Sequence, residues 1–93
     1  MDIKRYRTGE RMSQVVVHGN TVYTAGQVAQ NAPGASVADQ TKDILANLDA
    51  LLAEAGTDKS KLLTATIWLN SMDDFAEMNA VWDGWVVAGS TPC

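Results

Sequence analysis

One side chain suited to holding a ligand, Asn79, lies within an apolar stripe in residues 71–87. The stripe recurs at three- and four-residue steps and consists of Phe75, Met78, Trp82 and Trp85. This spacing predicts one buried face of a helix. Because an amide among aromatic rings is costly without hydrogen-bond partners, Asn79 is expected either to tie the helix to a neighbouring loop or to contact a ligand.

The other reactive side chains indicate neither a catalytic base nor a disulfide. His18 is the only histidine, and because no serine, cysteine or aspartate partner is evident for it, we expect it at the surface of a turn. Cys93 is the only cysteine and the last residue of the sequence. A single cysteine excludes a disulfide framework within the chain and favours the reducing cytoplasm.

The length and the charge of the chain narrow the classes of function. A length of 93 residues allows one domain, predicted to span residues 1–93, and no second core. The net charge of −4 gives no general electrostatic reason to bind nucleic acid. Four cations near the N-terminus are interpreted first as a solvated arm and second as a small anion site: Lys4, Arg5, Arg7 and Arg11. No apolar run approaches the roughly 20 residues of a membrane-spanning helix, and no signal peptide is visible.

Two strands are predicted ahead of the first helix. Residues 13–18 contain a run of three valines and residues 21–25 alternate in polarity, with a Gly-Asn turn between them. Residues 1–9 are predicted to form either an extended arm or a first short strand. Gly26 is predicted to end the second strand, where it permits a sharp turn or a close approach of the backbone.

A long helix is predicted over residues 36–55. Its broad apolar stripe, at helical spacing, consists of Val37, Thr41, Ile44, Leu45, Leu48, Leu51, Leu52 and Ala55. Ser36 and Asp39 resemble an N-terminal capping box, and Gly56 is predicted to end the helix.

A third strand and a second helix follow. Residues 62–69 are predicted to form a strand, and their apolar residues on both parities from Ile67 onward predict that both faces are covered. Trp68 is then expected to face either the helices or a partner subunit. Ser71 is predicted to cap the helix that spans residues 71–87.

The predicted order of elements ends on a helix and a short loop, residues 88–93. In layered α+β folds a helix normally returns the chain to the sheet. The aromatic stripe of the second helix also needs more sheet than three short strands supply. We therefore expect either a chain that is incomplete at its C-terminus or an exposed edge that oligomerisation covers.

An ordered set of short motifs resembles the RidA family, also known as the YjgF family. The motifs are residues 22–27 (VYTAGQ) after a Gly-Asn turn, Gln40-Thr41, Asn47, Ala55-Gly56, residues 72–75 (MDDF) and Met78-Asn79. No single motif is specific, but their consistent order over residues 11–92 carries the resemblance.

The resemblance implies a fold and an assembly. The fold is α+β and chorismate-mutase-like, a sheet backed by two helices, with the last strands absent from this chain. The assembly is a cytoplasmic homotrimer whose ligand sites lie in clefts between neighbouring subunits.

The resemblance also implies an activity, the hydrolysis of reactive imines and enamines such as 2-iminopropanoate and 2-iminobutanoate. The products are 2-keto acids and ammonia, and neither a metal nor an organic cofactor takes part. The implied partner is therefore a small-molecule imine or 2-keto acid, with no membrane and no nucleic acid.

Five substrate-binding residues are expected from the resemblance. Gly26 matches the glycine whose backbone lines the family's site, and Asn79 matches the asparagine near the cleft, which favours its ligand role. Ala25 stands where the family often has serine, Trp82 where it often has tyrosine, and Met12 near a pocket aromatic. These three departures indicate an altered pocket.

The catalytic residues that the resemblance implies are not within the sequence. They are an arginine that binds the substrate carboxylate through paired charge-assisted hydrogen bonds and a late glutamate that orients water or exchanges a proton with it. Both are expected beyond Cys93, so no catalytic residue is assigned, and Arg11 is the only arginine proposed as a substitute. We expect the full-length protein to be a hydrolase of this type.

Two other hypotheses remain from the sequence. A non-catalytic protein of the same fold would hold a small metabolite in the altered pocket, or keep only a vestigial cleft. A ribonuclease or translation inhibitor is the third hypothesis, and the acidic charge and the lack of a basic stripe argue against it.

Overall fold

The computed structural model describes residues 2–93, and Met1 lies outside the described residues. A three-stranded antiparallel sheet in the order β1-β2-β3 precedes two α-helices. The strands are β1 (Ile3–Thr8), β2 (Ser13–His18) and β3 (Thr21–Thr24), and the helices are α1 (Val37–Glu54) and α2 (Phe75–Trp85). This confirms the predicted α+β sheet with two helices, and the N-terminal segment is a strand rather than an arm.

The hairpin between β2 and β3 sets the register of the sheet. Gly19 has a φ of +61°, which fits the first central position of a type II′ turn. The turn pairs His18 with Thr21 and Val15 with Thr24. In the middle of the sheet, on β2, Val15 is fully buried.

Strand β1 is joined to the helix layer by an ion pair. The Nε atom of Arg7 donates to Oε2 of Glu54 at 3.0 Å, at the end of α1. Arg7 is the one non-glycine residue among residues 2–93 with a positive φ, +50°. A left-handed conformation costs a side-chain-bearing residue about 1–2 kcal/mol, more than an exposed ion pair supplies, so the ion pair alone does not compensate for it.

Local signals fix both ends of α1. The hydroxyl oxygen of Ser36 accepts a hydrogen bond from the backbone N–H of Asp39 at 3.1 Å, which satisfies one of the unpaired donors in the first turn. Beyond the last turn, Gly56 has a φ of +84°, the left-handed conformation that ends many helices. Both observations confirm the predicted cap residues.

Two hydrogen bonds hold α1 against α2. The backbone N–H of Ala38, in the first turn of α1, donates to Oε2 of Glu77 at 2.8 Å. The indole Nε1 of Trp85 donates to Oδ2 of Asp49 at 3.0 Å. Because the earlier residues of each helix pair with one another, and so do the later ones, the two helices run parallel.

The buried core draws on both layers. Its members are Val15 from β2, Leu45, Leu51 and Leu52 from α1, and Met78 from α2. The helix stripe predicted for residues 36–55 therefore does face the core.

The prediction of a strand over residues 62–69 is wrong in this chain. The segment joins no strand ladder among residues 2–93, and the only backbone pairing is at one end, where Leu63 and Ala65 bond to Cys93. The helices do not cover both faces of the segment, because Trp68 is 84% exposed and Leu63 is 74% exposed. The alternative that Trp68 faces a partner subunit stays a prediction. The residue types favour an extended chain, but a ladder also needs a neighbouring backbone that local sequence does not specify.

The second helix is shorter than predicted. A 3₁₀ turn at Met72–Asp74 precedes α2, and Ser71 caps that turn by accepting from the N–H of Asp73 at 3.2 Å. The α-helix ends at Trp85 instead of residue 87. Phe75 is 48% exposed, so the predicted buried face is not covered along its whole length.

The buried core predicts a large difference in stability between two leucine-to-alanine variants. We expect Leu51→Ala to lower the free energy of unfolding by about 2–5 kcal/mol, because its buried side chain would leave a cavity. The matched variant Leu63→Ala removes the same atoms from an exposed side chain and should change stability by less than about 0.5 kcal/mol. Urea unfolding followed by tryptophan fluorescence measures both, and equal losses would contradict this core.

Candidate functional site

A cleft of about 340 Å³ lies between α2 and the segment 62–69. The segment contributes Ala65, Ile67 and Leu69 to its lining. These are alternate residues, as expected for one side of an extended chain. The last residues of the chain, Pro92 and Cys93, also line it.

The opposite wall of this cleft is one face of α2. It presents Phe75, Met78, Asn79 and Trp82, preceded by Met72 from the 3₁₀ turn. Asn79 is the one amide side chain among the lining residues, and none of those residues carries a charged side chain. The cleft is thus an apolar pocket with one side chain that can both donate and accept hydrogen bonds.

Among residues 2–93, the Asn79 side chain makes no hydrogen bond to a neighbouring loop, which was the first of the two roles that the sequence left open. The side-chain hydrogen bonds from α2 to α1 come instead from Glu77 and Trp85. Asn79 is half-buried, at a position on the cleft wall. Its amide is therefore placed where it can meet a small polar molecule.

The indole of Trp82 is supported by a second tryptophan. The rings of Trp82 and Trp85 have centroids 5.4 Å apart and planes inclined at 44°. Trp85 is itself held by its bond to Asp49, and the Nζ of Lys59 lies 5.1 Å from the centre of its ring. Tilted aromatic pairs and cation–π contacts are favourable arrangements, so Trp82 has a defined neighbour behind it.

A second cleft, of about 430 Å³, lies at the turn between β1 and β2. It contains Met12, one of the predicted site residues, and Arg11, the proposed substitute for the missing arginine. Arg7, Gly9, Glu10 and Gln14 complete the lining. In contrast to the first cleft, this one carries two cations and a carboxylate.

Ala25 and Gly26 lie beside Gln14 of the second cleft. The backbone N–H of Ala25 donates to the backbone oxygen of Gln14 at 2.9 Å. The side chain of Gln27 donates to Oε1 of Gln14 at 2.8 Å and to the backbone oxygen of Ala25 at 3.2 Å. A Cβ atom on Gly26 would meet nothing within 4 Å, so the close approach predicted there is not seen within this chain.

The structure therefore divides the five predicted site residues into two groups. Asn79 and Trp82 share the first cleft, whereas Met12, Ala25 and Gly26 lie at or near the second. Ile67 and Leu69 were not predicted to line a site, although their shared parity in an extended segment was a usable signal. The Gln14–Gln27 pair was not predicted either, because nothing in the spacing of the two residues indicates it.

The titratable groups near the first cleft give no acid–base pair. Cys93 is the one titratable side chain among its lining residues. The pKa of the Asp58 carboxyl is lowered from its usual value, because the hydroxyl and the backbone N–H of Ser60 both donate hydrogen bonds to the carboxylate. Asp58 lies outside both clefts, in the connection that follows α1.

Neither a metal-ligand cluster nor a membrane-spanning helix is found in the described part of the chain. Among residues 2–93, no group of three or more His, Cys, Asp or Glu side chains is arranged to hold a metal ion. Over the same residues, neither helix has the length and apolar character needed to cross a membrane.

Comparisons with known proteins agree on one family. The family model described as Endoribonuclease L-PSP matches residues 3–93. The RutC family protein YoaB of Escherichia coli is 47% identical over 92 residues, which cover 99% of this chain and 79% of that protein. A RutC family protein of Haemophilus influenzae is 42% identical over 92 residues, which again cover 99% of this chain and 79% of that protein.

Solved structures give the same result. A YjgF-family protein from Neisseria meningitidis is 46% identical with a TM-score of 0.96, covering 100% of this chain and 76% of that chain. Yeast Mmf1, at 19% identity and a TM-score of 0.88, shares the fold. The order of motifs, the sheet with two helices and these matches together place this chain in the RidA family, to which the names YjgF and RutC also refer.

Proposed function

We propose that this protein hydrolyses small reactive imines, of the 2-iminopropanoate and 2-iminobutanoate type, to 2-keto acids and ammonia in the cytoplasm. The observation that carries the proposal is the Asn79 amide, the one polar side chain that α2 presents to an apolar cleft. Membership in the RidA family supports the choice of substrate class.

The reaction needs a polarised imine and an attacking water. The water oxygen bonds to the imine carbon, the π electrons of the C=N bond move to nitrogen, and one proton of the water passes to that nitrogen. When the resulting carbinolamine collapses, the hydroxyl proton passes to the nitrogen, the C–N bond breaks, and ammonia leaves as the keto group forms. Asn79 would donate a hydrogen bond to the substrate carboxylate or to the developing oxygen, and the apolar walls would strengthen that bond.

Among residues 2–93, no cationic side chain lines the first cleft. A guanidinium holds a carboxylate through two parallel hydrogen bonds, and no lining residue of this cleft supplies one. Arg11 lines the second cleft beside Met12. We propose that the two clefts adjoin across a subunit interface, so that Asn79 and Trp82 of one subunit face Met12 and Arg11 of the next.

This arrangement requires a closed oligomer, and the homotrimer implied by the family resemblance is the one proposed. Large exposed apolar side chains supply a surface for it, including Met12, 49% exposed, and Val28, 64% exposed. Light scattering at micromolar concentration should therefore give a mass three times the 10.0 kDa of the chain. A mass of 10.0 kDa at all concentrations would contradict the shared site.

The role of Asn79 predicts a selective loss of activity. In the full-length protein, ammonia release from freshly generated 2-iminopropanoate should exceed the rate in buffer, and Asn79→Ala should lower kcat/KM about tenfold because one hydrogen bond to a charged substrate is lost. Asn47→Ala is the matched control, since it removes the same group from a half-buried position on α1 outside the cleft.

A thermal shift and an ammonia assay on the same protein distinguish hydrolysis from binding without turnover. The absence of a titratable pair in the first cleft favours a second candidate function, retention of a 2-keto acid without turnover. In that case 2-oxobutanoate would raise the melting temperature saturably while ammonia release stays at the buffer rate. Equal activity of the two asparagine variants would instead remove Asn79 from the mechanism.

The family description as an endoribonuclease does not lead us to propose RNA cleavage for this chain. The net charge is −4, and two of the four N-terminal cations, Arg7 and Arg11, line the second cleft together with the carboxylate of Glu10. Electrostatic attraction to phosphates supplies most non-specific RNA affinity, and this chain offers little of it.

A further inference from the structure

The side-chain amides of Gln14 and Gln27 form a pair whose orientation is set by a backbone carbonyl. The Nε2 atom of Gln27 donates to the backbone oxygen of Ala25 at 3.2 Å and to Oε1 of Gln14 at 2.8 Å. Because a carbonyl oxygen only accepts, Gln27 has to present its NH₂ group to Ala25. The same NH₂ group meets Gln14, so Gln14 has to present its oxygen. The chain therefore orients both amides without a ligand.

This orientation leaves the NH₂ group of Gln14 as a donor for the second cleft. Gln14 is partly buried and lines that cleft, whereas Gln27, which holds its oxygen, does not. The Nε2 atom of Gln14 donates to no acceptor among residues 2–93. Since a donor removed from water costs free energy when it stays unpaired, an acceptor in the cleft gains by bonding to it.

Arg11 supplies a second donor group in the same cleft. Of the two arginines in the lining, Arg7 is bonded to Glu54, whereas Arg11 makes no ion pair within the described residues. The carboxylate of Glu10 also lines the cleft, and within those residues it is bonded to neither Arg11 nor Gln14. A ligand carboxylate has about four lone-pair sites, so it can accept from an amide and from a guanidinium at the same time.

We propose that Gln14 donates a hydrogen bond to the carboxylate of the bound 2-imino or 2-keto acid, and that Gln27 is the positioning residue that directs this donor to the ligand. The inference rests on the proposed function, whose substrates carry that carboxylate. Gln14 acts beside a guanidinium and does not replace it. The pair selects an acid over its amide, because the NH₂ group of an amide ligand would face the NH₂ group of Gln14.

Substitution of Gln27 by glutamate tests the orientation. A carboxylate only accepts, so Gln14 has to turn its NH₂ group to residue 27 and its oxygen to the cleft. In the full-length protein, Gln27→Glu should raise the Kd for 2-oxobutanoate about tenfold, because a hydrogen bond to a charged group is lost, and change the Kd for the neutral 2-oxobutanamide by less than about threefold. Isothermal titration calorimetry measures both constants. A parallel rise in both, as a merely structural role would give, or no rise in either would overturn the proposal.

Gln40→Glu is the matched control for the added charge. The Nε2 atom of Gln40, on α1, donates to the backbone oxygen of Ala35 at 2.7 Å, and Gln40 lines neither cleft. This variant removes the same kind of bond and adds the same charge without touching Gln14. Its Kd for 2-oxobutanoate should stay within about threefold of the wild-type value. Equal weakening by the two glutamate variants would assign the effect to charge and contradict the proposal.

Gln14→Met removes the donor without adding a charge. It should reproduce the rise of about tenfold in the Kd for 2-oxobutanoate, again with little change for 2-oxobutanamide. An unchanged Kd for the acid would show that Gln14 does not bind it.

Hydrogen exchange of the side-chain amides checks the orientation without any ligand. In the full-length protein, the Nε2 protons of Gln27 should exchange about tenfold or more slowly than those of Gln14, because both are bonded. Equal rates would contradict the orientation. Ammonia release by the wild-type protein is a separate readout: a rate equal to that in buffer would remove the hydrolysis, whereas the ratio of the two dissociation constants decides the role of the glutamine pair.

Discussion

The paired hydrogen bonds between α1 and α2 are the constraint on which the remaining structure depends. Glu77 accepts from the first turn of α1, and Trp85 donates to Asp49 further along, so the two helices run parallel. Parallel helices oblige the chain to travel back between them, and residues 62–69 lie on that return path. After α2 the chain turns back again, which explains why Cys93 meets Leu63 and Ala65 in the parallel direction.

The same constraint decides what α2 offers to a ligand. Successive helix positions rotate by about 100°, so Asn79 lies about 200° around the helix from Glu77. Glu77, which accepts from α1, and Asn79 therefore occupy different faces of α2, whereas Trp85 packs against the cleft residue Trp82. Asn79 is left free of the helix pairing, although a single amide without a charged neighbour supplies only part of a site for a carboxylate. The sharing of sites between subunits stays a proposal, and the separate position of Arg11 in the second cleft is the observation that motivates it.

Features with local causes were predictable from the sequence. Ser36 and Gly56 were identified as caps because capping depends on residues within one turn, and the Gly-Asn hairpin followed from its turn chemistry. The prediction of a strand at residues 62–69 was wrong because strand pairing depends on the backbone of a segment distant in sequence. Asn79 and Trp82 were brought together because they share a helix face, whereas Met12 and Gly26 were separated from them by a tertiary arrangement that spacing cannot encode.

The most direct measurement is a nuclear magnetic resonance titration of the protein with 2-oxobutanoate, a stable product of the proposed reaction. If the cleft on α2 is the binding site, the Asn79 side-chain amide and the Trp82 indole signals will shift together and saturate with one dissociation constant. The Asn47 amide, on α1, will stay unchanged. A titration in which Asn79 and Trp82 do not move, or in which only residues of the β1–β2 turn respond, would contradict the assignment of this cleft.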